Sequence, residues 1–277
     1  MLISVILPTY NNEKTISDSI RSILNQSYRK FELIIINDCS TDKTKEIINT
    51  FDDSRIVYIE NNQNLGRSRS RNKAIEIAKG EFIAVMDGDD ISIPTRVDIQ
   101  LKYLNDNPNI DLVASNIIFF TNNNVKGVSN VKLNELKNIN FFFRPIGLPH
   151  VTWMCRKNFF LNFKYNSNIP ATIDQDLLLR SFKSNNYFLI NEPLVFVNEP
   201  KSYAIKYKLK QVYILFRARM KFIINDSSFH FIPIIFLVFL ISCIFYAFGL
   251  RTNKIITSHN LYYQKILNKL LSKEPYN

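Results

Sequence analysis

Three carboxylates fall within four residues at Asp87-Gly88-Asp89-Asp90, directly after the apolar run 82–86. Like charges this close repel one another, and a divalent cation relieves the repulsion. Hard carboxylate oxygens suit Mg2+ or Mn2+, which in turn bridge phosphate oxygens. The plainer reading is a solvated acidic turn with Gly88 at the bend. The position after a buried strand favours the metal reading.

Three further stretches carry residue types able to do chemistry. In Asn37-Asp38-Cys39-Ser40-Thr41-Asp42, an Asp at a strand end can accept from a base N–H or a ribose hydroxyl. The ordinary alternative is a helix cap by Thr41 or Asp42 with Asp38 in an Asx turn, and both can hold on different residues. In the stretch 64–72, Arg67, Arg69 and Arg71 open a helix. A helix N-terminus favours anions and Arg adds bidentate phosphate contacts, with Arg67 and Arg71 on one face; a solvated basic helix start is the alternative. In Thr172-Ile173-Asp174-Gln175-Asp176-Leu177, Asp174 reads as the N-cap and Asp176 as a dipole partner, or Asp174 as a general base beside a cleft.

The elements that position these residues follow from periodicity. Apolar runs at 3–7, 32–36, 56–60, 82–86 and 111–119 read as strands; helices are expected near 13–26, 42–51, 67–79 and 94–106. Such alternation predicts a mostly parallel sheet with helices on both faces, and ligands in these sheets bind beyond the C-terminal strand ends. The region 125–200 is less regular. It suggests helices near 133–142 and 175–184, and strands near 151–155, 187–190 and 194–197, completing the cleft. The expected organisation is a catalytic domain over 1–200, with a nucleotide half at 1–120 and an acceptor half at 121–200, followed by a basic helical tail over 201–277.

The 277 residues carry 35 basic and 24 acidic side chains, a net charge of +11. Seven basic residues and no acidic one lie between Lys201 and Lys221, just before the 22-residue stretch Phe229–Leu250, which lacks Asp, Glu, Lys and Arg. That stretch is long enough to span a bilayer; a re-entrant hairpin or an interfacial helix is also open, and a buried core helix is the ordinary alternative. The three cysteines are widely spaced without a C-x-x-C, which suits neither a zinc site nor a disulfide framework, and the N-terminus lacks a basic n-region. The bulk of the chain is therefore expected on the cytoplasmic face of a membrane. No glycine precedes Gly66. That disfavours a glycine-rich phosphate loop near the N-terminus and with it a nucleotidyltransferase; a P-loop NTPase and a dinucleotide dehydrogenase lack their motifs too. The basic excess clusters beside an apolar segment, which suits anionic lipid better than nucleic acid.

Taken in order, these motifs resemble family 2 glycosyltransferases of the GT-A fold over roughly residues 3–200. Ser4 to Asn11 is similar to their first strand and donor loop, the 37–42 stretch to acid-acid-Gly-Ser-x-Asp with Asn37 and Cys39 departing, the 64–72 stretch to Asn-x-Gly…Ala-Arg-Asn, Asp87-Gly88-Asp89 to D-x-D, and Asp174-Gln175-Asp176-Leu177 to the acid-Asp-x-Asp-Leu element with Ile173 where Glu is frequent. Pro149 to Met154 resembles members that build bacterial surface polysaccharides. The resemblance implies an inverting transfer from a nucleotide-diphosphate sugar, expected to be a UDP-sugar, to a glycan or lipid-linked hydroxyl. It implies that Pro8, Thr9 and Tyr10 line the nucleotide pocket, Asp38 contacts the base, Arg71 holds the nucleotide, and Asp87 meets ribose or the metal's water shell. Asp89 would ligate Mn2+ or Mg2+, and Asp174 would be the catalytic base. The competing reading is a nucleic-acid or anionic-lipid binding protein on a catalytically inactive scaffold of this fold.

Overall fold

The computed structural model describes residues 1–131, 148–182, 184–198, 205–225, 232–247, 255–256 and 260–272. Its first half is built as periodicity dictates. Strands β1 (Ile3–Thr9), β2 (Phe31–Asn37), β3 (Ile56–Glu60) and β4 (Phe82–Val85) alternate with helices α1 (Ile16–Leu24), α2 (Thr44–Ile48) and α3 (Arg67–Ile77). The strands pair in parallel in the order β3-β2-β1-β4. Successive side chains of a strand point to opposite faces. Accordingly Ile6, Ile34 and Ile36 pack with Ala74 and Ile75 of α3 on one face. Val5, Leu7, Leu33 and Ile35 pack with Ile16, Ile20 and Ile23 of α1 on the other.

The second half departs from the expected parallel sheet. It consists of β5 (Ile91–Ser92), α4 (Arg96–Asp106), β6 (Leu112–Thr121), β7 (Asn124–Ser129), a 3-10 turn at His150–Thr152, β8 (Met154–Arg156), α5 (Lys157–Asn162), α6 (Ile173–Ser181) and β9 (Tyr187–Asn198). Here β8 lies antiparallel between β4 and β6, β7 is antiparallel to β6, and β5 is antiparallel to β9. Among the described residues only β6 and β9 pair in parallel in this half, so the sheet is mixed. The physical reason is connection length: parallel neighbours need a crossover, whereas β6 and β7 are joined by a tight turn through Asn122 and Asn123, both at positive φ. The two strands expected at 187–190 and 194–197 are one strand, β9, whose register shifts against β6 around Asn116. Asn116 satisfies that irregularity itself. Its Oδ1 accepts from Ser129 Oγ at 2.7 Å and from Val131 N at 3.0 Å, and its Nδ2 donates to Asn191 O at 2.9 Å. The helix expected near 133–142 lies outside the described residues.

The C-terminal part holds α7 (Ile205–Asn225), α8 (Ile232–Ala247), β10 (Ile255–Ile256) and α9 (Asn260–Leu271). Helices α7 and α8 pack together, with the Phe216 ring 6.2 Å from Phe236 and 4.5 Å from Phe239. The 16 residues of α8 rise about 24 Å, short of a hydrocarbon core of about 30 Å. Among the described residues no helix is long and apolar enough to cross a membrane. The expected division at residue 200 also cuts through one core. Leu267 of α9 is fully buried with Ile118, Phe120, Leu194 and Phe196. Gln264 accepts from Val125 N at 2.7 Å and donates to Asn123 O at 2.8 Å. The last helix thus belongs to the sheet's far end rather than to a separate tail.

Leu267→Ala is therefore expected to destabilise the full-length protein by about 2–5 kcal/mol, the range for opening a cavity at a buried Leu. Denaturant unfolding at equilibrium measures this; an effect below about 0.5 kcal/mol would mean that α9 does not dock.

Candidate active site

Four loops meet at the C-terminal ends of β1, β2, β3 and β4. After β1, Asn11 takes a left-handed conformation (φ 53°). Its Oδ1 accepts from Thr41 N at 2.8 Å and its own N–H donates to Ser40 Oγ at 3.0 Å. The β1 and β2 loops are thereby tied together. Thr9 is buried and donates to Asn12 Oδ1 at 2.9 Å, while Tyr10 is exposed at the loop tip. Pro8 lies within β1, which runs on to Thr9, and pairs with Ile36 of β2.

Two departures noted in the sequence have local explanations. Asn37 is buried and its Oδ1 accepts from both Ser40 N (3.1 Å) and Ser40 Oγ (2.6 Å), forming an Asx turn, while its Nδ2 donates to Tyr58 Oη at 3.0 Å. Cys39 sits at φ 63°, a conformation glycine adopts more cheaply. The following helix starts at Thr44, and Asp42 accepts from Glu13 N and Thr44 N, both at 3.0 Å.

Asp38 is 4 % exposed. Its Oδ1 accepts from Asn61 Nδ2 and Leu65 N, and its Oδ2 from Gly66 N, all at 2.8 Å. This carboxylate thus holds the turn that leads into α3, where Gly66 adopts φ 84° as the N-cap. An ionised carboxyl offers about four acceptor sites, so capacity for one more donor remains.

The carboxylate cluster follows β4. Gly88 has no positive φ; what it needs is space, because a Cβ there would lie 3.0 Å from Thr9 Oγ1 and 3.1 Å from Asn12 Oδ1. Thr15 Oγ1 donates to Gly88 O at 2.8 Å and Ser19 Oγ to Asp90 O at 2.6 Å, pinning the loop to α1. The three acids meet different surroundings. Burial opposes the charge on Asp87, but the Arg71 guanidinium, bonded to it at 2.5 Å, holds its carboxyl below the ordinary value. Burial, with Asp89 and Asp87 nearby, pushes Asp90 well up; its Oδ1 accepts from Asn198 N at 2.9 Å. Arg96, fully buried beneath, donates to Val85 O at 2.8 Å, and burial lowers its guanidinium to about 9. Asp89 faces solvent; partial enclosure and the Asp87 charge raise its carboxyl to about 6.

Arg71 is 3 % exposed, its guanidinium lies 5.8 Å over the Tyr165 ring, and its Nε has no hydrogen-bond partner among the described residues. Tyr165 Oη is 2.8 Å from His150 Nε2, and the His150 ring stacks edge-on to Trp153 at 4.7 Å. Burial and Arg71 lower His150 to about 4, so the imidazole is neutral. Asp174 acts electrostatically on Arg71, His150 and Tyr165 alike, which brings it to the same side of the cleft. The expected N-cap at Asp174 is corrected: the cap is Thr172, in a left-handed conformation (φ 56°), and Asp174 lies in the first turn of α6. Gln175 Nε2 donates to Asp174 Oδ2 at 3.2 Å, while Asp176 pairs with Arg180 at 2.9 Å.

The fold therefore sets Thr9, Tyr10, Asp38, Asp87 and Asp89 on or beside the loops at the C-terminal strand ends, and brings Arg71 onto Asp87 with Asp174 near enough to act on Arg71. Sequence reasoning assigned no role to His150, Tyr165 or Arg96. His150 stands in the Pro149–Met154 stretch that had been noticed, whereas no local signal marks Tyr165. Among the described residues no group of three His, Cys, Asp or Glu side chains forms a ready metal cage. A cation held by Asp89 alone, with phosphate and water completing its shell, suits both the exposure of that carboxylate and its uncompensated charge.

Residues 4–169 match the description Glycosyl transferase family 2. An uncharacterized glycosyltransferase of Methanocaldococcus jannaschii is 36 % identical over 197 residues, covering 69 % of this chain and 68 % of that protein. An Escherichia coli UDP-Glc:alpha-D-GlcNAc-diphosphoundecaprenol beta-1,3-glucosyltransferase is 40 % identical over 126 residues, 46 % of this chain and 49 % of that enzyme. The chain thus aligns with about half the length of that relative. Among solved structures, S. aureus TarS in complex with UDP-GlcNAc shares the fold at TM-score 0.66 and 18 % identity, covering 98 % of this chain and 80 % of that one. A mannosyltransferase of Pyrobaculum calidifontis in complex with GDP-Man and Mn2+ does so at TM-score 0.63 and 15 % identity, covering 97 % and 84 %.

The unequal compensation of the three acids has a measurable consequence. The folded state raises the Asp89 carboxyl, so ionising it costs stability once pH exceeds the unfolded value of about 4, and the full cost is reached above about 6. Asp89→Asn is expected to raise the Tm of the metal-free protein at pH 7.5, by no more than about 2 °C given the exposure of the group. The gain should shrink at pH 4.5, where Asp89 is protonated in the folded protein. Calorimetric scans at the two pH values measure it, and a fall in Tm at pH 7.5 would contradict the electrostatic account.

Proposed function

The chain belongs to glycosyl transferase family 2, and on that premise we propose that it moves a sugar, with inversion, from a UDP-sugar to a hydroxyl of a lipid-linked glycan in surface polysaccharide assembly. The observation that carries this reading is the division of roles among the acids. Asp87 is paired with Arg71, Asp89 forms no ion pair among the described residues, and Asp174, in the first turn of α6, lies near enough to act on Arg71. The activity of the Escherichia coli relative, with a UDP-sugar donor and a diphosphate-linked acceptor, supports the substrate classes.

In this reading Pro8, Thr9 and Tyr10 flank the nucleotide, and Asp38 accepts from the base with its remaining lone pair. Buried Arg71 and half-buried Asp87 form a preorganised pair beside the donor's ribose and phosphates. Asp89 would hold Mn2+ or Mg2+, which when bound supplies charge to the departing diphosphate. Asp174 takes the proton of the attacking hydroxyl as the new bond to the anomeric carbon forms and the bond to the diphosphate breaks. A single displacement from the opposite face inverts the anomeric configuration. Neutral His150 and Tyr165 exclude water and hold the floor on which Arg71 rests.

Calorimetry of UDP-sugars with the full-length protein, in Mn2+ and in EDTA, tests the donor side. Binding is expected to depend on metal and to vanish in Asp89→Ala. Asp174→Asn should keep that binding while transfer falls about 10²–10⁴-fold, as for other positioned bases. Metal-independent binding unaffected by Asp89→Ala would refute the assignment of Asp89. Lack of any UDP-sugar binding would turn attention to another nucleotide, or to a scaffold without turnover.

We further propose that the α7–α8 pair rests on the cytoplasmic face of the membrane rather than crossing it. Phe236, Leu237, Leu240 and Ile241 of α8 are exposed, and α7 carries exposed Lys210, Arg217 and Lys221. An apolar face beside basic residues suits an anionic lipid surface. Replacing these four apolar residues by Ser should abolish flotation with phosphatidylglycerol vesicles and leave Tm within about 2 °C, since the replaced side chains are at the surface. Undiminished flotation would place the contact elsewhere.

A further inference from the structure

A cavity of about 590 Å3 opens between the 166–170 loop, α6 and α7, apart from the Asp87–Asp89 cleft. Its wall carries Arg180 from α6 and Arg217 and Lys221 from α7, together with Asp176, Asn168 and Tyr213. Arg217 and Lys221 are four residues apart on one helix and share a face. Asp176 is engaged by Arg180 at 2.9 Å, and the Arg180 Nη2 donates to Lys164 O at 2.7 Å. Among the described residues, Arg217 and Lys221 form no ion pair. The Arg217 guanidinium lies 6.0 Å over the Tyr213 ring, which keeps it at the cavity wall. Three cations against a single, already paired carboxylate leave the cavity with a positive excess that nothing described satisfies.

We infer that this cavity receives the diphosphate of the lipid-linked acceptor. The inference rests on the transferase reading above and adds to it the place where the acceptor is anchored. Helix α6 carries both ends of the argument. Asp174 in its first turn faces the Arg71 cluster, and Arg180 near its end lines the cavity. Six residues of helix separate them by about 9 Å along the axis. Asp176, two residues beyond Asp174, also lines the cavity, so the cavity reaches the first turn of α6 that carries Asp174. The two unpaired cations match the charge of a diphosphate diester, the guanidinium through paired N–H donors and the ammonium as a point charge. The cavity's outer wall is α7, which packs on α8. A lipid chain leaving the diphosphate therefore has exposed Phe236, Leu237, Leu240 and Ile241 nearby on that hairpin. An anionic phospholipid headgroup would present the same phosphate chemistry from another source.

The test compares the native full-length protein with Arg217→Gln/Lys221→Gln, two exposed positions whose change leaves the core intact. Transfer is measured to two soluble acceptors with the same sugar, one on a short alkyl diphosphate and one a plain alkyl glycoside. Binding of decyl diphosphate is measured separately by calorimetry, without donor. The native protein is expected to favour the diphosphate acceptor through KM. The variant should lose that preference by about tenfold or more, with decyl diphosphate binding weakened in parallel. An unchanged preference overturns the proposal. If neither acceptor is glycosylated, the transferase reading fails on its own terms and calorimetry alone decides. Decyl diphosphate binding lost in the variant then upholds the cavity as a diphosphate site, and binding absent or unchanged overturns it. A variant that loses only its attachment to phosphatidylglycerol vesicles, keeping the acceptor preference, assigns the cavity to a headgroup and likewise overturns the proposal.

Discussion

The cleft is organised around the cost of placing three carboxylates within four residues at the end of a buried strand. Only one of them, Asp87, has a buried cation in contact, Arg71. Asp90 is desolvated and pushed well up, with Arg96 beneath it giving partial relief. Asp89 is left facing solvent with its carboxyl raised to about 6. The protein thus satisfies the acids that it uses to shape the loop and leaves unsatisfied the one that faces the opening. Breaking a buried pair by removing one partner costs several kcal/mol, because the survivor is stranded in low dielectric. That dependence makes Arg71 a structural as well as an electrostatic element of the cleft.

Around this charge arrangement the loops interlock through small polar groups rather than through apolar contacts. Asn11 joins the β1 loop to Thr41, Asn37 forms the turn at Ser40, Asp38 gathers the amides of Leu65 and Gly66, and Thr15 and Ser19 tie the acidic loop to α1. Each strand end is therefore fixed to its neighbour, so the cleft is built before any ligand arrives. Preorganised donors and charges of this kind act without reorganisation cost at the moment of reaction.

The side that carries Asp174 is made differently. It comes from the antiparallel half of the sheet and from helices that follow it, and its residues are drawn from distant segments. His150, Tyr165 and Asp174 converge on Arg71 from three elements, and the cavity between α6 and α7 draws on a fourth. On the proposed reading, the parallel half would take the donor and the mixed half the acceptor. Helix α9 then closes the far edge of that second half against β7 and β9.

Much of the parallel half was legible in the residues alone. Its strands and helices announce themselves through periods of 2 and 3.6, and the acids, asparagines and glycine after each strand are local features of the chain. Hence the strand ends, Asp38, Asp87, Asp89 and the arginine-led start of α3 were all found where the structure has them. Local pattern carries no information about which charge meets which. That Arg71 reaches Asp87 across 16 positions, that Asp38 is already occupied by backbone amides, and that His150 bonds to Tyr165 were decided only by the tertiary structure. The antiparallel turn of the sheet, the return of α9 into the core and the cationic cavity belong to the same class. They are contacts between segments far apart in the chain, selected by burial and charge compensation in three dimensions, and no spacing along one strand or helix encodes them.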